Sequence, residues 1–168
     1  MIEKEIEVKV IGYSLDQLKN IISKSDAEFI KKENQKNYRF INTNLDDNSY
    51  LRLRVTDEYS EFTLKTKEYS SSAKINQEIT TGVSDPKSFL KIMEALGYKY
   101  DLEEKERYKY ILGDYIFDLD IWNEDIYPNP YLEIEAPSVE KLEELLKELN
   151  IPKDKITTKS IGELISEL

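Results

Sequence analysis

Like charges recur two residues apart along this chain. Glu5 and Glu7, Asp118 and Asp120, and Glu133 and Glu135 form acidic pairs, while Arg52 and Arg54, Lys65 and Lys67, and Lys105 with Arg107 and Lys109 form basic groups. At that spacing two strand side chains share one face, roughly 7 Å apart, and repel unless opposite strands or bound ions neutralise them. Acidic groups so placed can hold hard divalent cations through oxygen, and basic ones can hold phosphate oxygens. Neither histidine nor cysteine occurs in the chain. Imidazole bases, thiol nucleophiles and the nitrogen and sulfur ligands that zinc favours are therefore excluded, and any bound metal must take oxygen.

The residues between these charges are largely apolar: Ile6 and Val8, Leu51, Leu53 and Val55, Phe117, Leu119 and Ile121, and Leu132 and Ile134. Alternation with period two predicts strands carrying one apolar and one ionic face. Strands are expected over Ile2–Ile11, Gln35–Asn42, Ser49–Thr56, Glu61–Lys67, Ile75–Thr81, Lys105–Leu112, Tyr115–Trp122 and Tyr131–Ala136. Turn-rich stretches such as Asn44-Leu45-Asp46-Asp47-Asn48 separate strands of the first half, and Gly113-Asp114 suits a two-residue primed turn. Four helices are expected among them. Ser14 caps a run with Leu15, Leu18, Ile21 and Ile22 that reaches about Ala27. Asp85-Pro86 opens a second, with Phe89, Leu90, Ile92, Met93 and Leu96 as its apolar stripe and Gly97 ending it. Ser138 caps a third, with Val139, Leu142, Leu145, Leu146 and Leu149 inward, and Ser160 with Glu163 makes a capping box for a short last one. The fold expected is α+β, with about eight antiparallel strands and the helices packed outside.

The 168 residues suit a single domain over 1–168, with no low-complexity linker to divide it. The 24 Lys and Arg against 34 Asp and Glu leave a net charge of −10, which argues against nucleic-acid partners and against an anionic membrane surface. No apolar run of signal-peptide or membrane-spanning type occurs, so a cytoplasmic location is expected.

An open sheet that simply wets its charged face would show the same alternation, but it has no reason to sort acids from bases strand by strand. A sheet closed with its ionic faces inward does, because acidic strands can then hold divalent cations while basic strands hold phosphates. A triphosphate with its metal ions meets both demands.

The ordered motifs resemble the CYTH domain of the triphosphate tunnel metalloenzymes. They are Glu5-Ile6-Glu7-Val8-Lys9, Gln35 with Tyr38-Arg39-Phe40, Leu51-Arg52-Leu53-Arg54, Thr63-Leu64-Lys65, Glu78, Lys105-Glu106-Arg107-Tyr108, Phe117-Asp118-Leu119-Asp120 and Glu133-Ile134-Glu135. The resemblance implies a closed antiparallel tunnel that binds a small-molecule triphosphate with Mg2+ or Mn2+, in a monomer or homodimer. It implies Glu5, Glu7, Glu133 and Glu135 as metal ligands, with Asp118, Asp120 and Glu78 as further ones. It implies Lys9, Arg52, Arg54, Lys65 and Arg107 as phosphate ligands, joined by Lys67 and Arg39, and Lys105 as a catalytic residue. Members of the family include class IV adenylate cyclases, thiamine triphosphatases and inorganic tripolyphosphatases. The expected activity is metal-dependent hydrolysis of a triphosphate group, with cyclisation of ATP to cyclic AMP and pyrophosphate, or non-catalytic binding of polyphosphate or nucleotide, as alternatives. Asn76, Ile161 and Tyr127-Pro128-Asn129-Pro130 depart from the family pattern, where arginine, tyrosine and a glycine are usual. Tyr38 and Tyr108 are expected to pack on the outer face and are not assigned to the site.

Overall fold

The computed structural model describes residues 2–68 and 72–168. Its strands are β1 (Ile2–Val10), β2 (Glu28–Phe40), β3 (Ser49–Val55), β4 (Ser60–Glu68), β5 (Lys74–Gly82), β6 (Tyr100–Leu112), β7 (Tyr115–Trp122), β8 (Tyr131–Glu135) and β9 (Ile156–Thr157). The helices are α1 (Leu15–Lys24), α2 (Pro86–Ala95), α3 (Val139–Glu148) and α4 (Ile161–Ile165). Hydrogen-bonded neighbours run in the order β5, β4, β3, β2, β6, β7, β8, β1, and β1 also pairs with β5, so the sheet closes on itself. The closing ladder runs from Ile2 opposite Ile79 to Glu7 opposite Lys74. Beyond it, the short β9 takes over that edge of β1 at Lys9 and Val10. Every pairing in the ring is antiparallel.

Two strands reach further than their alternation suggests. β2 starts at Glu28 instead of Gln35 and β6 at Tyr100 instead of Lys105, and the two form one long ladder with a bulge between Phe29 and Lys31. The added stretches hold few apolar residues, and Phe29, Ile30 and Leu102 among them stay exposed, so no buried face marks them; the partner strand specifies them instead. The Gly113-Asp114 turn joins Leu112 to its partner Tyr115, and Gly113 supplies the positive φ of 55° that such a turn requires.

All four helices begin at the expected caps. The hydroxyls of Ser14, Ser138 and Ser160 and the carboxylate of Asp85 each accept a backbone N–H of the first turn, and the Ser14–Gln17 and Ser160–Glu163 capping boxes are closed in both directions. The main core lies outside the ring, where Val8, Phe117, Leu119 and Ile134 of the outer strand faces meet Leu18 and Ile22 of α1 and Leu142 and Leu145 of α3. Tyr108 packs against this core and Tyr38 meets Tyr100 edge to face at 5.2 Å. The α2 stripe is only partly covered: Phe89 packs on Phe62 with ring centres 4.8 Å apart, while Ile92 and Leu96 are 59% and 68% exposed.

Leu53 and Ile134 are fully buried on the outer face. Truncating either to Ala is expected to cost ~2–5 kcal/mol, read as a lowered urea midpoint. Unchanged midpoints in both variants would mean that the apolar face points inward.

Candidate active site

Alternation turns one face of every ring strand inward, and the inward residues are charged. They line a cavity of about 960 Å3 that runs through the ring and contains Glu5, Glu7, Lys9, Arg52, Arg54, Lys65, Lys105, Arg107, Glu133 and Glu135. Burying so many ions is tolerable only when each has a partner or a ligand, and the partners divide the lumen into zones.

One zone is acidic. Glu7 of β1 pairs with Glu135 of β8, and Lys9 with Glu133, which gathers carboxylates from two adjacent strands. Among the described residues, Glu7, Glu133 and Glu135 are the group whose ligand oxygens all lie within 4.8 Å of one another. Lys9 Nζ lies 2.6 Å from Glu133 and 3.7 Å from Glu7. Oε1 of Glu7 also accepts from Lys74 Nζ at 2.7 Å and from Asn76 Nδ2 at 3.3 Å. Burial and Glu133 push the Glu7 carboxyl up, but Lys9, Lys65 and Lys74 overcome them and hold it at about 2. Glu135 makes no hydrogen bond or ion pair among the described residues; burial, then Glu5, Glu133, Asp118 and Glu7, push it up to about 8. Three clustered carboxylates, one of them without a cation, form a donor set suited to a hard oxygen-seeking ion.

A second zone is a clasped cation. Arg107 Nε and Nη2 donate to the two oxygens of Asp120 at 2.7 Å each, Nη1 to Asp118 at 2.6 Å, and Nη2 also to Glu133 at 3.2 Å. Lys105 Nζ donates to Asp120 at 2.6 Å and stands 5.0 Å from the centre of the Trp122 ring. Burial, followed by the neighbouring Arg107, pushes the Lys105 amine down to about 7 despite Asp120. Lys65 forms a smaller cluster, with Glu5 at 2.5 Å and with Glu78.

The third zone holds surplus positive charge. Arg54 donates to Asn37 at 3.1 Å and reaches Glu61 only at 3.5 Å. Burial and the adjacent Arg52 and Arg107 hold its guanidinium below the usual range. Arg52 has no ion pair among the described residues, and its buried Nε has no hydrogen-bond partner. A buried N–H without an acceptor is costly, so this corner of the lumen is prepared for an anion.

One mouth of the cavity is covered by α4. Trp122 Nε1 donates to Tyr131 Oη at 3.0 Å, and this aromatic pair packs with Tyr127, Ile161 and Leu164. Arg39 lies over the Tyr50 ring at 5.2 Å, and Lys67 reaches Glu163 of α4 at 3.4 Å. Gly162 faces Arg39 at this contact: a Cβ there would come within 2.9 Å of Arg39 Nη1, the end of a flexible side chain that can swing aside.

A family model for the CYTH domain matches residues 3–161. The chain belongs to the CYTH family. Solved structures with the same fold include the PH1012 protein of Pyrococcus horikoshii, which is 24% identical, with a TM-score of 0.80 over 95% of this chain and 98% of that one. A candidate adenylate cyclase from Vibrio parahaemolyticus is 18% identical, with a TM-score of 0.76 over 98% of each chain. A Hippeastrum protein described as a candidate adenylyl cyclase with a dominant triphosphatase activity is also 18% identical, with a TM-score of 0.67 over 97% of this chain and 95% of that one. A search of the curated proteins returns no match. No helix among the described residues is long and apolar enough to cross a membrane.

In this CYTH domain the residues singled out from the motifs line the lumen, except Asp118 and Asp120, which are buried against Arg107, and they keep different company. Glu7, Glu133 and Glu135 cluster, Glu5 and Glu78 share Lys65, and Asp118 and Asp120 are taken up by Arg107. Arg39 and Lys67 stand at the α4 mouth. Of the residues that depart from the family pattern, Asn76 touches Glu7, while Ile161 and Tyr127 belong to the apolar packing beneath α4. Three lumen features escaped the motif pattern: Lys74 on Glu7, Asn37 on Arg54, and the Trp122–Tyr131 floor. Asn37 was legible only as an inward position of its strand, Lys74 lay one residue before the expected strand, and Trp122 and Tyr131 were legible as aromatics at the ends of β7 and β8.

Proposed function

We propose that this CYTH domain is a divalent-metal-dependent hydrolase of the triphosphate group, taking inorganic tripolyphosphate or a nucleoside or thiamine triphosphate. The observation that carries this reading is the coexistence in one cavity of a three-carboxylate cluster and an arginine pair in which, among the described residues, Glu135 lacks a cation and Arg52 an anion. A chain of phosphates with its metal would satisfy both.

Glu7, Glu133 and Glu135 would hold Mg2+ or Mn2+, with Glu5 alongside. A divalent ion bound there would supply Lewis acidity toward a phosphoryl oxygen. Asp118 and Asp120 act differently, by fixing Arg107 and Lys105 in place. Arg52 and Arg54 offer their guanidinium donors to phosphate oxygens, and Lys9, Lys65 and Arg107 add positive charge against the equatorial oxygens of the transferred group. Arg39 and Lys67 would meet the part of the substrate nearest α4. Lys105 Nζ accepts the proton of the attacking water as the water oxygen bonds to the terminal phosphorus and the bridging P–O bond to the diphosphate leaving group breaks.

Incubation with tripolyphosphate and with ATP, in Mg2+ or Mn2+, followed by phosphorus NMR, tests the reading. Orthophosphate is the expected product. Cyclic AMP with pyrophosphate from ATP would replace the hydrolase with a cyclase, and binding without turnover would leave a binding module. The Lys105 role carries its own pH signature. The amine must be neutral to accept a proton, so kcat/KM should rise with pH through about 7 and level off above it. Lys105→Met should be slow and should lack that limb. A variant that kept both its rate and its profile would remove Lys105 from proton transfer.

A further inference from the structure

Lys74 is a buried cation in the lumen to which no role has been given above. It opens β5 directly opposite Glu7 of β1 and faces the cavity, with 7% of its surface exposed. Its ammonium donates to Oε1 of Glu7 at 2.7 Å, the same oxygen that takes Asn76 at 3.3 Å and stands 3.7 Å from Lys9. Glu7 is thus a member of the three-carboxylate cluster with one oxygen already occupied by fixed donors.

Charge matching in the cluster follows from these contacts. With a cation bound, the three carboxylates carry three negative charges. Lys9 answers Glu133 at 2.6 Å and Lys74 answers Glu7 at 2.7 Å, while Glu135 has no cation among the described residues. One divalent ion more than matches the charge that remains. A second would enter a cluster that already carries a net positive charge, beside two buried ammonium groups that water screens poorly. Lys74 and a metal would also compete for the same carboxylate, since a ligand oxygen that accepts a short hydrogen bond has less to offer an ion.

We propose that Lys74 is the resident counter-ion of Glu7, so that the cluster takes one divalent cation per chain and the lysine ammonium supplies the positive charge that a second ion would bring. The proposal rests on the metal assignment under Proposed function and specifies its stoichiometry. The fixed charge has a further effect: it weakens the cluster for divalent cations in the absence of substrate, because one oxygen of Glu7 is already taken.

The test counts ions and needs no turnover. The full chain is titrated with Mn2+ alone, bound ion being read from the loss of the free-ion electron paramagnetic resonance signal, and each protein is also melted with and without Mn2+. Wild type should bind one Mn2+. Lys74→Met should bind two, or bind its one at least tenfold more tightly, with a larger rise in Tm on adding Mn2+. Lys74→Arg, which keeps the charge, should behave as wild type. Where Lys74→Met fails to fold, Lys74→Gln, which keeps a donor for Glu7, is read in the same way. Two ions in wild type would overturn the proposal. So would a neutral variant with unchanged count and affinity, and if Glu135→Gln then still abolished binding, the metal site itself would stand. Binding that Glu135→Gln leaves untouched would instead overturn the metal assignment, and this proposal with it.

Discussion

Glu135→Gln is expected to lower turnover by more than the ~10–100-fold that loss of an outer metal partner costs, without lowering the melting temperature. The two halves of this outcome have one cause. Glu135 has no cation among the described residues, and burial with Glu5, Glu133, Asp118 and Glu7 pushes its carboxyl up to about 8, so without an ion it is largely protonated near neutral pH. Gln keeps the shape of that neutral form and cannot ionise. Stability should hold or rise while the cluster loses one of its three carboxylates. The same change at Glu7 should behave differently: it strands Lys74, so both activity and stability should fall. Turnover at saturating Mg2+ together with thermal melts checks both variants. Wild-type activity in Glu135→Gln at saturating metal would remove that residue from the metal site.

Tripolyphosphate with Mg2+ is expected to raise the melting temperature by roughly 5–10 °C at 100 times Kd. Ligand at that level adds about 2.7 kcal/mol to the folded state, and ~1 kcal/mol moves the midpoint of a chain of this size by about 2–4 °C. The gain should depend on phosphate-chain length, because Arg52, Arg54, Lys65 and Arg107 come from three different strands and a single phosphate cannot reach them all. Combining Arg52→Ala with Arg54→Ala should erase most of the shift. Among the described residues Arg52 is without an ion pair and Arg54 meets only a distant carboxylate, so their removal strands little else. If sulfate or monophosphate at matched ionic strength stabilised as strongly, or the double variant responded fully, the cavity would not be a triphosphate site.

Much of this was legible in the chain because a strand face is a local property. The alternation around Glu5, Arg52, Asp118 and Glu133 gives direction as well as type, and the four caps mark the helices at the correct residues. The early part of β2, Glu28–Asn34, was hidden because Lys31, Lys32, Glu33 and Asn34 alternate nothing; the ladder to β6 makes it a strand. Pairings of side chains were hidden for a related reason. Whether an inward aspartate meets a metal or an arginine depends on register between strands, and the register places Arg107 opposite Asp120. Lys74 looks like an isolated charge beside a serine run until the β1–β5 ladder sets it against Glu7.

Ring closure also limits the order in which the molecule can assemble. The hairpins β3–β4, β4–β5 and β6–β7 join strands close in sequence and can form early, whereas Glu7 and its partner Glu135 are 128 positions apart (135 − 7). Until β8 has been synthesised, β1 cannot be held on both edges, and the free edges of β1 and β7 remain open to foreign strands. Glu7 and the clustered carboxylates of β8 therefore first meet at the end of folding, when the last seam closes, so a half-folded chain should lack the proposed ion-binding site. In pulsed hydrogen exchange during refolding, amides of the local hairpins should gain protection before those of the β1–β8 seam. Protection of all of them in a single phase would contradict this order.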